Sequence, residues 1–431
     1  WDESDNKAVH CTECFAALIL LTHLEKLNNK IKSFDEISLF DTSDKGLICN
    51  GPAEVNVLIG NIKTNPLIAQ LETEMCESLS ANEKVLDEGF RIKSFYFKSS
   101  LYIILSGNDR IGTLYSVYAF LEKIGIEKFG PGEKGTYYPK SFNTNSDLLS
   151  MDFIENPAYK TRGCYSEYLD DTCDDLLEWA SFNRMNFVHF LKISNPHKIK
   201  KLGMKISGGG HKVLYRFMDP NQEYPYKHKL YGGEGKPEDL YEVSRECKDN
   251  KAGCECKHTA ESCKTFLTYS QAHPEWYTMI DGKRSFRRDY ESAKNGYCTG
   301  DNFCTSNADA VNELARLITN DLSDGKLSRV DYFDFWMLDN GKWCQCDLCS
   351  NPESGNLSFK LMMVVYKIDK KIKEAQQQGR IKRPIKILFP AYHETLPAPD
   401  KPLPKDFDFD NCIATYFPIE RCFVHNINDE N

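Results

Sequence analysis

Apolar residues recur at helical spacing over residues 8–27 and predict a first helix. Val55-Asn56-Val57-Leu58-Ile59 is a short apolar run closed by Gly60, which predicts a strand. Phe90–Phe97 and Leu101–Leu105 read as a hairpin, followed by a Ser106-Gly107-Asn108-Asp109 turn. In the helix after that turn Ile111, Leu114, Val117, Leu121 and Ile124 recur at helical spacing, and Gly125 ends it. These elements predict a small α/β sandwich domain over residues 1–150, left through a polar connection at 143–150.

Beyond the connection the texture changes. Short apolar runs recur at Gly163–Tyr168, Phe187–Leu191, Met204–Ile206, Val330–Leu338, Ile385–Phe389 and Cys412–Phe417. Helical patterns lie between several of them. One covers Asp174–Asn183. Another covers Asn307–Leu322, with Val311, Leu314 and Ile318 on one face, and a third carries Leu357, Leu361, Val364, Ile368 and Ile372. Strand, helix, strand at this rhythm predicts parallel βα units. The expected fold class is therefore α/β, a small α/β sandwich domain followed by a (β/α) TIM-like barrel over 151–431. Six βα units are visible where a closed barrel has eight, so the barrel is expected to be incomplete in this chain, a piece of a longer protein. A Cys-rich insertion at 212–300 holds Cys247, Cys254, Cys256 and Cys263, read as disulfides or a metal knot.

Composition narrows the classes. The net charge is −9 and the basic residues are spread along the chain, so no basic face for nucleic acid is expected. The longest apolar run, Phe15–Leu21, falls short of the roughly 20 residues of a membrane span. Trp1-Asp2-Glu3-Ser4-Asp5 does not look like a signal peptide. The 17 cysteines are an odd number, so at least one has no intramolecular disulfide partner. They fit either paired cysteines of an oxidising compartment or thiols and metal ligands of a reducing one; a periplasmic or secreted setting is favoured over the cytoplasm.

Gly89-Phe90-Arg91-Ile92 and Gly107-Asn108-Asp109-Arg110-Ile111-Gly112-Thr113-Leu114-Tyr115 resemble the small α/β domain that precedes the barrel in hexosaminidases and α-glucuronidases. Phe129-Gly130-Pro131-Gly132-Glu133 and Tyr138-Pro139 fit its exit. The second half resembles a bacterial barrel family, domain of unknown function 4838. The residues that carry this are His273-Pro274-Glu275-Trp276-Tyr277, Asp339-Asn340-Gly341, Cys344-Gln345-Cys346-Asp347-Leu348-Cys349, Ala391-Tyr392, Arg421-Cys422 and His425. The resemblance implies a glycoside-hydrolase type of architecture and a carbohydrate substrate. Hexosaminidases that use substrate assistance carry an adjacent Asp-Glu pair at the fourth strand. Here Asn340 follows Asp339, which argues against that mechanism.

Sites of βα barrels form where the strands end. That rule selects Glu167, His211 after Gly208-Gly209-Gly210, Trp336, Asp339, His393, Glu394, Arg421 and His425. Glycosidic cleavage needs two carboxyl groups, and Asp339 and Glu394 follow consecutive strands, so they are the expected catalytic pair. Either alone could equally cap a helix. His211, Trp336, Tyr392, His393, Arg421, His425 and Trp276 are expected to bind substrate, Arg421 by clamping polar groups and the aromatic rings by stacking. No cofactor is expected for catalysis. Cys344, Cys346 and Cys349, with Cys422 as a candidate fourth ligand, could hold a structural Zn²⁺; the rival reading is a disulfide to Cys422. The leading expectation is a glycoside hydrolase using paired carboxylates. The alternatives are a non-catalytic glycan-binding protein with a degenerate barrel and, third, a metal-dependent hydrolase.

Overall fold

The computed structural model describes residues 6–31, 55–141, 151–164, 173–188, 195–225, 267–294, 298–339, 341–417 and 424. The chain folds as two compact units, residues 1–206 and 207–431. The expected polar connection at 143–150, Glu167, and Cys247, Cys254, Cys256 and Cys263 lie outside the described residues.

The first unit is built on a four-stranded sheet. It comprises β1 (Val55–Ile59), β2 (Phe90–Phe97), β3 (Ser100–Gly107) and β6 (Asp152–Glu155), in the order β1-β3-β2-β6. A two-stranded ribbon of β4 (Glu127–Lys128) and β5 (Thr136–Tyr137) stands beside it in sequence. β6 follows the polar connection and pairs antiparallel with β2, so the first compact unit continues past residue 150. The period-2 alternation of β3 sorts the core. Ile103 and Leu105 pack with α1 (Asn6–Ile31) and α3 (Arg110–Lys123), whereas Ile104 packs on the other face with Ile68 and Leu71 of α2 (Pro66–Met75). This is a sheet with helices on both faces. Asp109 caps α3, accepting from Gly112 N at 2.8 Å. A Cβ on Gly112 would lie 2.1 Å from Gly89 O, so this close approach requires glycine.

The stretch Ala8–Lys30 of α1 is long and apolar enough to cross a membrane by length and composition, which the Phe15–Leu21 run did not suggest. In the fold α1 contributes Ala16, Leu20 and Leu27 to the core. His23 of the same helix is buried, with Nδ1 2.8 Å from the Tyr138 hydroxyl. Burial, together with Lys128 and Lys26, pushes its pKa down to about 4. The folded value lies below the unfolded one, so the neutral ring favours folding above about pH 6.5. That stability is lost as pH falls towards 4, a difference of about 3 kcal/mol at most. Urea melts at pH 7 and pH 4.5 should therefore separate less for His23→Gln than for the native chain. Equal separation would exclude His23 as a source of the acid sensitivity.

The first unit also contains β7 (Gly163–Cys164) and β8 (Phe187–Val188), paired parallel, with the helix Asp174–Phe182 between them. Residues 205–206 of β9 (Lys205–Gly210) pair parallel with β8 and close this unit. In the second unit residues 207–210 of β9 pair parallel with β12 (Tyr332–Phe335). β12 pairs with β13 (Lys386–Ala391), and β13 with β14 (Cys412–Tyr416), again parallel. A short hairpin of β10 (Met279–Ile280) and β11 (Lys283–Arg284) lies within the 212–300 excursion.

Two amphipathic helices make the crossovers. Ala308–Asp324 buries Val311, Leu314 and Ile318, and Leu357–Gln377 buries Leu361, Val364, Ile368 and Ile372. Asn307 and Asn356 cap them. Asn356 is also the acceptor of the sequence's Asn-Leu-Ser sequon, but its Nδ2 donates to Ala398 O at 2.7 Å, so it serves the helix start. All six expected strands occur, mixed with helices in α/β fashion. Among the described residues they do not form a closed barrel.

Candidate functional site

The site of the second unit is assembled just past the carboxyl ends of its parallel strands. All four residues of β12 are buried, and the chain continues through Trp336, Met337 and Leu338 to half-buried Asp339. The Trp336 indole N–H donates to Asp334 Oδ1 at 2.7 Å, so a buried carboxylate on β12 fixes the ring. Around this indole stand His211, Phe417 and Tyr392, with ring centroids at 4.8, 4.8 and 5.9 Å.

His211 is placed by the three glycines before it. At Gly209 φ is +126° and a Cβ would lie 2.1 Å from Asp334 O, so β9 approaches β12 too closely for any side chain. His211 Nδ1 lies 2.6 Å from Met337 O. A carbonyl only accepts, so Nδ1 is the nitrogen that donates, and Nε2 is left as the ring's second polar atom. Beyond β13, Tyr392 and His393 sit ring against ring at 3.8 Å, and exposed Glu394 follows. His393 adopts φ +45°, and Thr395 Oγ1 donates to Tyr392 O at 2.9 Å, which tightens that turn.

These residues border one open cleft. It is lined by His211, Trp336, Asp339, Tyr392, His393 and Glu394, all expected from sequence, and by Asn302, Gly341, Trp343, Leu361 and Thr395, which were not. Asn302 Oδ1 accepts from Leu338 N at 2.8 Å, and its Nδ2 donates to Gly341 O at 3.4 Å, tying the 298–307 loop to the segment after β12. No spacing in the sequence pairs residue 302 with 338. Trp276 is not among the lining residues. It is buried, stacked on His273 at 3.9 Å and packed near Tyr224 and Tyr269, an aromatic core that its apolar surface fills. Arg421, His425 and Cys422 lie outside the described residues.

Four thiols gather beside the cleft. Cys304 Sγ stands 3.6 Å from the sulfurs of both Cys346 and Cys349. With Cys344 the four sulfurs all lie within 4.8 Å of one another. Among the described residues, the one that joins the expected Cys344, Cys346, Cys349 cluster is Cys304, from the 298–307 loop. Cys349 is held well below the ordinary thiol range by hydrogen bonds from Cys304 and Cys344, and Ser306 adds a side-chain and a backbone bond.

The second unit thus has a polar cleft, carrying two carboxylates, at the carboxyl ends of parallel strands. The chain belongs to the family described as domain of unknown function (DUF4838), whose model matches residues 131–430. Comparison with curated proteins gives no match. Among solved structures the chain is similar to a chitobiase from Flavobacterium johnsoniae, at 11% identity and a TM-score of 0.39, covering 93% of this chain and 49% of that one. It is also similar to a GH138 enzyme targeting pectin rhamnogalacturonan II, at 12% identity and a TM-score of 0.39, covering 94% and 46%. The chain spans about half the length of either.

Proposed function

We propose that this protein is a glycoside-hydrolase-like protein that cleaves a glycan with Asp339 and Glu394 as its carboxyl pair. One observation carries the reading. Both carboxylates border a single cleft together with His211, Trp336, Tyr392 and His393. In such a site one carboxyl group gives its proton to the glycosidic oxygen, and the other attacks the anomeric carbon or deprotonates a water. His211, with Nδ1 bound to Met337 O, presents Nε2 for a hydrogen bond with a sugar hydroxyl. The reading takes the parallel strands as part of a TIM-like barrel preceded by a hexosaminidase-type α/β domain. It keeps Arg421 and His425, which follow β14 in the chain, as substrate-binding residues.

Trp336 is buried by its aromatic neighbours, so the large aromatic side chains of the cleft with exposed area for stacking are half-buried Trp343 and Tyr392. Trp343→Ala should weaken oligosaccharide binding by about tenfold, which corresponds to about 1.4 kcal/mol. Calorimetric titration of both forms checks this, and unchanged affinity would remove Trp343 from the binding surface. A second reading, a glycan-binding protein without turnover, is favoured by Asn340 standing where substrate-assisted enzymes carry the second acid. A panel of aryl glycosides and defined oligosaccharides decides between the two. Release of the aryl group or of shorter sugars supports the hydrolase. Saturable binding with no release supports the binding protein, and neither binding nor release would reject both.

A further inference from the structure

We infer that Cys304, Cys344, Cys346 and Cys349 are the four ligands of one structural zinc ion. Four thiolates at the corners of a tetrahedron with Zn–S bonds of about 2.3 Å have sulfurs about 3.8 Å apart. The two separations from Cys304 are 3.6 Å, close to that edge. A disulfide requires a bond of about 2.05 Å, and none of the four cysteines forms one. Cys304, Cys346 and Cys349 are buried and Cys344 is half-buried, so the cluster is closed to solvent on most sides.

The surroundings fit metal-bound sulfur. Met279 N donates to Cys344 Sγ at 3.3 Å, the kind of outer hydrogen bond that orients a ligand. Gln345 N donates to Met279 O at 2.8 Å and Cys304 N to Trp276 O at 2.8 Å, so each ligand-bearing strand of chain is held by backbone bonds. Cys346 precedes a single helical turn that contains Cys349, with Cys349 N donating to Cys346 O at 2.8 Å. Four protein sulfurs leave no coordination position for water, so the ion is a brace and takes no part in the reaction. It clamps the 298–307 loop to residues 341–350, to which Met279 joins the β10–β11 hairpin by hydrogen bonds. Asn302, Gly341 and Trp343 of those segments line the cleft. The brace therefore sets the shape of the cleft without touching substrate, and it holds whether or not the cleft cleaves glycans.

The experiment is elemental analysis of the full chain purified without chelators, beside Cys304→Ser and the control Cys76→Ser, an exposed cysteine outside the cluster. Cys304→Ser should hold about one zinc per chain fewer than the native protein, and Cys76→Ser should match the native protein. Should Cys304→Ser fail to fold, thiol alkylation of the native chain read by peptide mass spectrometry replaces it. The four named thiols should be protected until a strong chelator is added, and cobalt(II) grown in place of zinc should show sulfur-to-metal charge-transfer absorption. Full zinc content in Cys304→Ser, alkylation that ignores the chelator, a mapped disulfide among the four, or iron in place of zinc would each overturn the assignment.

Discussion

Replacing Asp339 with Asn, or Glu394 with Gln, is expected to lower turnover of a cleaved aryl glycoside by about 10²–10⁴-fold, the range for losing a proton-transfer group. Both substitutions keep the shape of the side chain. Asp339 is half-buried and Glu394 exposed, so stability should change by less than about 0.5 kcal/mol. The two variants should then differ from each other. A substrate with a good leaving group needs no proton from the enzyme, so the variant lacking the general acid should recover on such substrates. The variant lacking the nucleophile or base should stay inactive and respond to added azide. Substrate series measured with both variants, alongside melting curves, assign the roles. Full turnover in either variant would remove that carboxylate from the reaction. Equal losses of turnover and melting temperature would mean that it supports the fold instead.

The second large effect is expected at Gly209. At φ +126° with Asp334 O 2.1 Å from an added Cβ, Gly209→Ala is strained in its dihedral and blocked by backbone on the neighbouring strand. Alanine can be accommodated only if β9 moves away from β12, which breaks ladder bonds and carries His211 out of the cleft. The cost should be at least about 3 kcal/mol. For a unit of this size that is a fall in melting temperature of roughly 6–12 °C. Gly210→Ala is the internal control. Its φ is +70°, but nothing lies within 4 Å of the added Cβ, so only the left-handed backbone cost of about 1 kcal/mol applies. Calorimetric melts of the two variants should rank Gly209→Ala far below Gly210→Ala. Similar melting temperatures would show that the close approach of the two strands does not constrain the second unit.

Much of the site was legible because its logic is local. A strand followed by a helix announces itself through a change of period within about 15 residues, and polar residues at the end of each parallel strand face the same way. That is why Asp339, Glu394, His211, Trp336, Tyr392 and His393 could be named together and are found around one cleft. Trp276 illustrates the limit. It was expected to stack on sugar, yet its ring is buried and stacks on His273 inside the unit.

Short-range pattern, then, determined which residues form strands and helices, which face of each helix is apolar, and which side chains stand at strand ends, because those properties depend on neighbours a few positions away. The tertiary structure alone decided that the first sheet recruits β6 from beyond the polar connection, since a short strand carries no mark of its partner. It alone decided that Cys304 meets Cys346 and Cys349 across 42 and 45 residues of chain. It also brought Asn302 and Trp343 to the cleft. Such meetings are fixed by the path of loops over the packed core, and loop paths follow from the sum of many long-range contacts that no spacing along the chain records.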